Sequence, residues 1–153
     1  MSRRDQIAME VGELAAFLEE QRVVVCATHG PRGWPHLMPL WYVIRAGRVW
    51  AWTYAKSQKV TNLERDARAT LQVEAGEQYQ ELRGVMIEAQ TEVHRDLETV
   101  AGLGVELAER YAGASLTASA LAAVEAQATK RVALEFVPVR TATWDHRKLG
   151  GVY

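Results

Sequence analysis

The sequence predicts a mainly β fold with helices, in which about six antiparallel strands close fully or partly into a barrel with peripheral helices. Runs of β-branched and aromatic residues recur along the chain, and short turns separate them. Few helical stretches lie between these runs, so consecutive strands are free to pair antiparallel. The chain of 153 residues is about one domain long, and we treat residues 1–153 as a single domain.

The first third of the chain predicts one helix and three strands. Apolar residues recur at helical spacing over residues 7–18, which indicates a surface helix on a core. A β-branched run at residues 23–27 and extended runs at 36–44 and 49–54 follow, with turn residues between them. Because both turns are short, we expect these three strands to form an antiparallel meander.

The middle of the chain predicts a short helix and two further strands. Ser57 is a good N-cap, and Val60 and Leu63 of the following helix would face the core. Residues 68–74 and 83–94 then alternate between apolar and polar side chains. Such alternation is typical of strands with one buried face.

The last third predicts a helical insertion and a final strand. Asp96 caps a helix that ends at Gly113, and a second helix follows around Leu121. Residues 132–137 form the last predicted strand. Pro138 confines this strand to an edge or an end of the sheet, because proline has no backbone N–H to donate.

Composition excludes several classes of function. The formal net charge is −1 and 24% of residues are charged, so no footprint for nucleic acid or an anionic membrane is visible. The single cysteine, Cys26, allows neither an intrachain disulfide nor a cysteine zinc cluster. No signal peptide is visible, and residues 111–124, the longest run without charge, are too few to span a membrane. We therefore expect a cytoplasmic protein.

One short segment carries chemistry. A strand ends in Thr53-Tyr54 and a helix begins at Ser57. Lys56 lies between them, and Gln58 and Lys59 lie just inside the helix. A helix N-terminus presents free N–H groups and partial positive charge, which attract an anion. Hydroxyl and ammonium groups within seven residues would complete a phosphate site. The alternative from spacing alone is an ordinary capped helix with solvated lysines.

Residues 53–69, Thr-Tyr-Ala-Lys-Ser-Gln-Lys-Val-Thr-Asn-Leu-Glu-Arg-Asp-Ala-Arg-Ala, resemble the phosphate-binding segment of the pyridoxamine 5'-phosphate oxidase-like split barrels. In that superfamily a strand ending in Thr leads to Ser-(Arg/Gln)-Lys, Asn-Leu and Asp-Pro-Arg, with Ala67 here in place of the proline. Gln58 and the tail at residues 143–149 are similar to the actinobacterial flavin/deazaflavin oxidoreductases, B-type. The resemblance implies a six-stranded split β-barrel homodimer that binds coenzyme F420.

The resemblance also implies a role for particular residues. Those expected to hold the phosphate are Thr53, Lys56, Ser57, Gln58 and Lys59. Those expected to line the tricyclic ring are His36, Leu37, Met38 and Pro39, with Trp52 nearby. Those expected from the partner subunit are Trp144 and Arg147. Reduced F420 would deliver a hydride to a conjugated small-molecule acceptor, and no residue is assigned as a proton donor.

Other readings stay open. The fold would equally suit an FMN-dependent oxidase or reductase, although the neutral Gln58 favours the singly charged phosphodiester of F420 over the dianionic phosphate of FMN. A cofactor-storage or haem-binding protein is a third reading, with Asp145-His146 as the haem ligand. Four scattered histidines without a ligand pattern predict no metal site. Trp41, Trp50 and Trp52 offer more aromatic surface than a small barrel buries, which favours a dimer.

Overall fold

The computed structural model describes residues 2–151 and shows a mainly β fold with helices. Seven strands lie within these residues: β1 (Val24–His29), β2 (Pro35–Leu40), β3 (Val43–Arg45), β4 (Arg48–Tyr54), β5 (Arg68–Ala75), β6 (Arg83–His94) and β7 (Arg131–Asp145). Five α-helices accompany them: α1 (Arg3–Gln6), α2 (Val11–Glu20), α3 (Gln58–Arg65), α4 (Leu97–Ala112) and α5 (Ala118–Ala128). In this part of the chain no helix has the length and apolar character to cross a membrane.

All seven strands form one antiparallel sheet in the order β2-β1-β5-β6-β7-β4-β3. The two edge strands, β2 and β3, are neighbours in sequence, and only Trp41 and Tyr42 join them. Three Cα steps span at most about 11 Å, so this link holds the two edges of the sheet close together. The sheet therefore curls into a half-barrel.

The predicted single strand over residues 36–44 is wrong, and so are the meander and the count of about six strands. The chain leaves the ladder at Tyr42, whose side chain is 0% exposed. Its backbone N–H donates to the Tyr111 hydroxyl at 3.0 Å, and its carbonyl accepts from Arg110. Because side chains of α4 satisfy this peptide, the strand breaks and its two halves join opposite edges of the sheet.

The last strand extends well beyond the prediction, from Arg131 to Asp145. Pro138 lies opposite Ala89, where the pairing of β6 with β7 shifts register after Glu88. A bulge leaves one residue outside the ladder, so the missing N–H of proline is tolerated there. The tail at residues 143–149 therefore begins as part of the sheet.

The helical predictions around residue 57 and residue 96 are confirmed. Ser57 is the N-cap of α3, and Val60 and Leu63 are 1% and 3% exposed. The Asp96 side chain accepts from the backbone N–H of Thr99 at 3.0 Å and so caps α4. Gly113 ends this helix in the left-handed conformation at φ 70°, which glycine adopts without a steric cost.

Two apolar cores lie on opposite faces of β4. Side chains alternate along a strand, so Val49 and Ala51 point into the half-barrel. Trp50 and Trp52 point outward and pack against the core formed with α4, which includes Leu107. Since the chain's own helix covers these two indoles, they no longer supply a reason for a dimer.

Candidate anion and cofactor site

Three predicted phosphate residues meet where β4 ends and α3 begins. The Lys59 Nζ donates to the Thr53 Oγ1 at 3.1 Å, and that oxygen lies 3.5 Å from the Ser57 Oγ. Ser57 is the N-cap, yet its side chain accepts no hydrogen bond from α3. Its hydroxyl and the first N–H groups of the helix are thus available to a ligand. We call Thr53, Ser57 and Lys59 the cradle.

Lys59 brings a cation into this cradle, and no residue from 2 to 151 supplies a counter-charge. Its side chain is 5% exposed, and burial lowers its pKa. Cys26 is nearby, but burial raises the pKa of its thiol to about 12, so it stays neutral. Among residues 2–151, Lys148 is the one lysine with an ion pair, to Glu13 at 2.6 Å. A buried ammonium held by one neutral hydroxyl is unfavourable, and a bound anion would relieve it.

Gln58 turns away from the cradle. Its Nε2 donates to Asn62 Oδ1 at 2.8 Å, and the fully buried Asn62 donates to Thr28 Oγ1 at 3.0 Å. Gln58 lines a cleft of about 320 Å³ together with His36 and Arg32. The Nδ1 of His36 is buried and has no hydrogen-bond partner in the described part of the chain. Gln58 and His36, two of the predicted site residues, are thus neighbours in a cleft separate from the cradle.

Lys56 lines a second cleft, which we call the lysine cleft. It has a volume of about 680 Å³ and is lined by Lys56, Ser57 and Lys130, among others. Lys130 reaches this place because β7 starts beside the end of β4, and its carbonyl accepts from the Ala55 N–H at 3.0 Å. Sequence reasoning missed Lys130, since only the strand pairing brings it here.

The third cleft contains Pro39, Trp52 and Thr53, and we call it the aromatic cleft. It has a volume of about 400 Å³ and lies between α4 and the ends of β2 and β4. Arg131 also lines it, with its guanidinium 4.5 Å from the centre of the Trp52 ring. Arg131 was not predicted, because its partner in the register, Tyr54, is distant in sequence.

Leu37 and Met38 lie apart from these clefts. Both are on the edge strand β2, which pairs with β1 alone within the described residues, and their exposures are 57% and 44%. The structure therefore presents them at the surface, beside His36 and Pro39 in sequence but outside the three clefts.

Trp144 and Arg147 lie at the far end of β7. Val132 pairs with Thr53, and Trp144 pairs with Gly84 at the other end of the strand. Twelve residues at 3.2–3.4 Å each make at most about 40 Å of strand between the two points, and the bulge in β7 and the curl of the sheet shorten that distance. Neither residue lines the clefts that contain Thr53 or Ser57 of its own chain, so the predicted role calls for a second chain.

The tail makes local contacts within its own chain. A Cβ at Gly84 would lie 2.4 Å from the Trp144 ring, so only glycine admits this indole. The Arg147 guanidinium lies 2.6 Å from Asp145 and holds the pKa of that carboxyl below its usual range. His146 Nδ1 is 2.9 Å from the Tyr79 carbonyl oxygen. His146, the proposed haem ligand in the haem-binding interpretation, therefore already has a backbone hydrogen-bond partner.

A further cluster joins residues that look scattered in the sequence. Candidate ligand atoms of Glu92, His94 and Glu135 lie within 4.8 Å of one another. His94 Nε2 is 2.8 Å from one Glu135 oxygen, and Arg48 is 2.6 Å from the other. Burial alone would raise the pKa of Glu135. The hydrogen bonds from Arg48 and His94 have the larger combined effect, so the pKa lies below its usual value. Because Arg48 balances the buried carboxylate, the cluster is an ion-pair network.

The chain is a small antiparallel half-barrel that carries a candidate anion site, the cradle, at the end of one strand. The chain belongs to the pyridoxamine 5'-phosphate oxidase family, whose model matches residues 11–145. No curated protein sequence matches the chain significantly.

Several solved structures are similar. The conserved hypothetical protein Rv2991 from Mycobacterium tuberculosis is 40% identical, with a TM-score of 0.91, and the match covers 100% of this chain and 95% of that one. An F420 reductase is 20% identical, with a TM-score of 0.66 and coverage of 83% and 94%. The haem storage protein HutZ from Vibrio cholerae is 15% identical, with a TM-score of 0.67 and coverage of 87% and 94%. The last two show a shared fold.

Proposed function

We propose that the protein is an F420-binding oxidoreductase that transfers a hydride from the reduced deazaflavin to a conjugated small-molecule acceptor. The observation that carries this proposal is Lys59, a buried cation at the N-terminus of α3 that has no counter-charge among the described residues. Membership in a family named for an oxidase supports redox chemistry, and the similar fold of an F420 reductase supports the deazaflavin.

The donors of the cradle fit a phosphate group. The Lys59 ammonium and the Ser57 hydroxyl would donate to its oxygens, and Thr53 would orient the ammonium, as it does now at 3.1 Å. The buried Nδ1 of His36 has no hydrogen-bond partner within residues 2–151, but it lies in the separate cleft of Gln58, so we assign it no contact with the ring. Pro39, Trp52 and Thr53 already line one cleft, so ring and phosphate would lie side by side.

The lysine cleft favours F420 over FMN. FMN ends at its phosphate, whereas F420 continues past a phosphodiester into a lactyl-oligoglutamate tail. Lys56 and Lys130 line a cleft that includes Ser57 of the cradle, and neither has an ion pair within residues 2–151. Two uncompensated ammonium groups beside the phosphate position suit the carboxylates of that tail.

The protein's part in the reaction would be binding and orientation. When bound, the reduced deazaflavin supplies a hydride, so the acceptor gains two electrons and takes its proton from solvent. Tyr42 is an unsuitable donor, because its hydroxyl is fully buried and donates to the Leu18 carbonyl at 2.6 Å. Burial also raises the pKa of Tyr42 to about 12. No side chain needs to move a proton in this scheme.

We also propose a homodimer in which each site is shared. Trp144 and Arg147 would close over the cofactor of the other subunit, since neither lines the clefts that contain Thr53 or Ser57 of its own chain. The exposed apolar side chains of Leu37 and Met38 would lie at the contact between the subunits.

A binding titration tests the proposal. F420 and the same deazaflavin riboside without phosphate and tail are titrated into the purified protein, and fluorescence reports binding. We expect F420 to bind at least tenfold more tightly, about 1.5–3 kcal/mol, because the riboside lacks every charge that the cradle and the lysine cleft recognise. Equal affinity would place the phosphate elsewhere, and no binding of either would refute a deazaflavin cofactor.

A further inference from the structure

Three side chains of types that ligate metals meet on β6 and β7, and we call Glu92, His94 and Glu135 the Glu-His-Glu cluster. Glu92 and His94 are two residues apart on β6, so both side chains lie on the same face of the sheet. Glu135 of β7 is the register partner of Glu92. Two carboxylates directly opposite each other on neighbouring strands are destabilising. A cation between them would remove this repulsion.

The distances in the Glu-His-Glu cluster fit one metal ion. His94 Nε2 lies 2.8 Å from a Glu135 oxygen and 3.9 Å from a Glu92 oxygen, and all three candidate ligand atoms lie within 4.8 Å of one another. Two ligand atoms of one Zn²⁺ lie at most about 4.4 Å apart, since each is about 2.0–2.2 Å from the ion. The Glu92 side chain is 61% exposed, so its carboxylate can move to close the small remaining gap.

Two of the three candidate ligands are held in place by other side chains. Arg48 donates to one oxygen of Glu135 at 2.6 Å, and the other oxygen lies against His94. The Trp50 ring stacks on the His94 imidazole at a centroid distance of 5.0 Å and an interplanar angle of 20°. Outer partners of this kind orient metal ligands before the ion binds.

The charge of the cluster also suits a divalent cation. Arg48 offsets one of the two carboxylates, so one negative charge is left in excess when His94 is neutral. Glu92 has no lysine or arginine partner within residues 2–151. A second guanidinium nearby, that of Arg45, is paired with Glu106.

We propose that the Glu-His-Glu cluster binds a divalent transition-metal ion of the Zn²⁺ class and so joins β6 to β7 just before α4 begins. One imidazole nitrogen and two carboxylate oxygens suit such an ion better than Mg²⁺, which prefers oxygen ligands. The ion would replace the proton between His94 and Glu135, and that proton would pass to solvent or to His94 Nδ1. This site is independent of the proposed function, because none of its residues lines the clefts that contain Thr53 or Ser57.

Calorimetric titration of Zn²⁺ and of Mg²⁺ into tag-free, chelator-treated protein tests this inference. We expect one Zn²⁺ per chain and at least tenfold weaker binding of Mg²⁺. His94→Gln and Glu92→Gln should each weaken Zn²⁺ binding at least tenfold, because even the outer partners of metal ligands contribute that much. Both variants should fold, since glutamine at position 94 can still donate to Glu135, and Glu92 is exposed.

His29→Gln is the matched control. His29 lies 3.9 Å from Asp66, but this pair has no third candidate ligand within the described residues. The variant should therefore bind Zn²⁺ as the unmodified protein does. Absence of Zn²⁺ binding, Mg²⁺ bound as tightly as Zn²⁺, or unchanged Zn²⁺ affinity in folded His94→Gln or Glu92→Gln would overturn the inference. A loss in His29→Gln equal to that in His94→Gln would overturn it as well.

Discussion

Lys59 carries its ammonium group into the end of the half-barrel, where Thr53 is the one acceptor among residues 2–151. A buried charge of this kind costs stability, and replacement by a well-packed apolar residue often stabilises a protein. We expect Lys59→Met to raise the melting temperature of the cofactor-free protein by about 2–4 °C, which corresponds to about 1 kcal/mol. The same variant should bind F420 at least tenfold more weakly, about 1.5–3 kcal/mol.

Arg140→Met is the matched control for this variant, because it removes an exposed cation that pairs with Glu88 at 3.4 Å. It should leave both F420 affinity and the melting temperature nearly unchanged. A Lys59→Met protein that melts at a higher temperature and still binds F420 at full affinity would show that the buried cation serves another purpose.

The pKa of Lys59 gives a dependence on pH with a definite sign. Burial lowers the pKa in the folded state below the ordinary value of 10.5. Between the folded pKa and 10.5 the unfolded chain binds more protons, so the free energy of unfolding rises with pH in that window. F420 affinity should fall in the same window, since the ammonium is lost. Urea unfolding of wild type and Lys59→Met should show their difference shrinking as pH rises.

At the scale of single residues, part of the candidate site could be predicted from the sequence. Thr53, Ser57 and Lys59 lie within seven residues, so a strand end and a helix start bring them together whatever the rest of the fold does. Lys130 and Arg131 lie far away in sequence and arrive through the pairing of β4 with β7. No local pattern marks such residues, because the register of distant strands is set by the packing of the whole sheet.

Contacts between distant parts of the chain also limit how well secondary-structure elements can be predicted from the sequence. α3, β5 and β6 were predictable because their apolar residues recur with the period of a helix or a strand. Residues 36–44 form one extended run that predicts a single strand, yet the peptide of Tyr42 bonds to Tyr111 and Arg110 of a distant helix. A tertiary contact thus overrides the local pattern and separates β2 from β3.

α4 offers a matched pair of glycines for a test at this scale. A Cβ at Gly104 would lie 2.4 Å from the Trp52 ring, whereas one at Gly102 meets nothing within 4 Å. We expect Gly104→Ala to destabilise the protein by about 1–3 kcal/mol through overpacking. Gly102→Ala should instead stabilise it by about 0.5–1 kcal/mol through helix propensity. Thermal unfolding of both variants checks this, and equal effects would mean that Trp52 does not lie against α4.

For the whole molecule, the proposed shared site predicts complementation between subunits. Lys59→Met damages the cradle, and Trp144→Ala removes the indole that the partner would contribute. Each variant alone should bind F420 weakly. When the two variants are mixed and exchange subunits, tight F420 binding should return. Each mixed dimer then has one site that contains neither substitution. No recovery despite exchange, or a stable monomer at micromolar concentration in sedimentation, would refute the shared site.

The central claim is that the cradle and the lysine cleft hold a deazaflavin. Side-by-side titrations of the unmodified protein with F420 and with FMN at the same pH and ionic strength test it most directly. The buried Lys59 serves either phosphate, but Lys56 and Lys130 gain partners only from the tail of F420. We therefore predict that F420 binds more tightly than FMN. FMN bound as tightly as F420, or more tightly, would contradict this account.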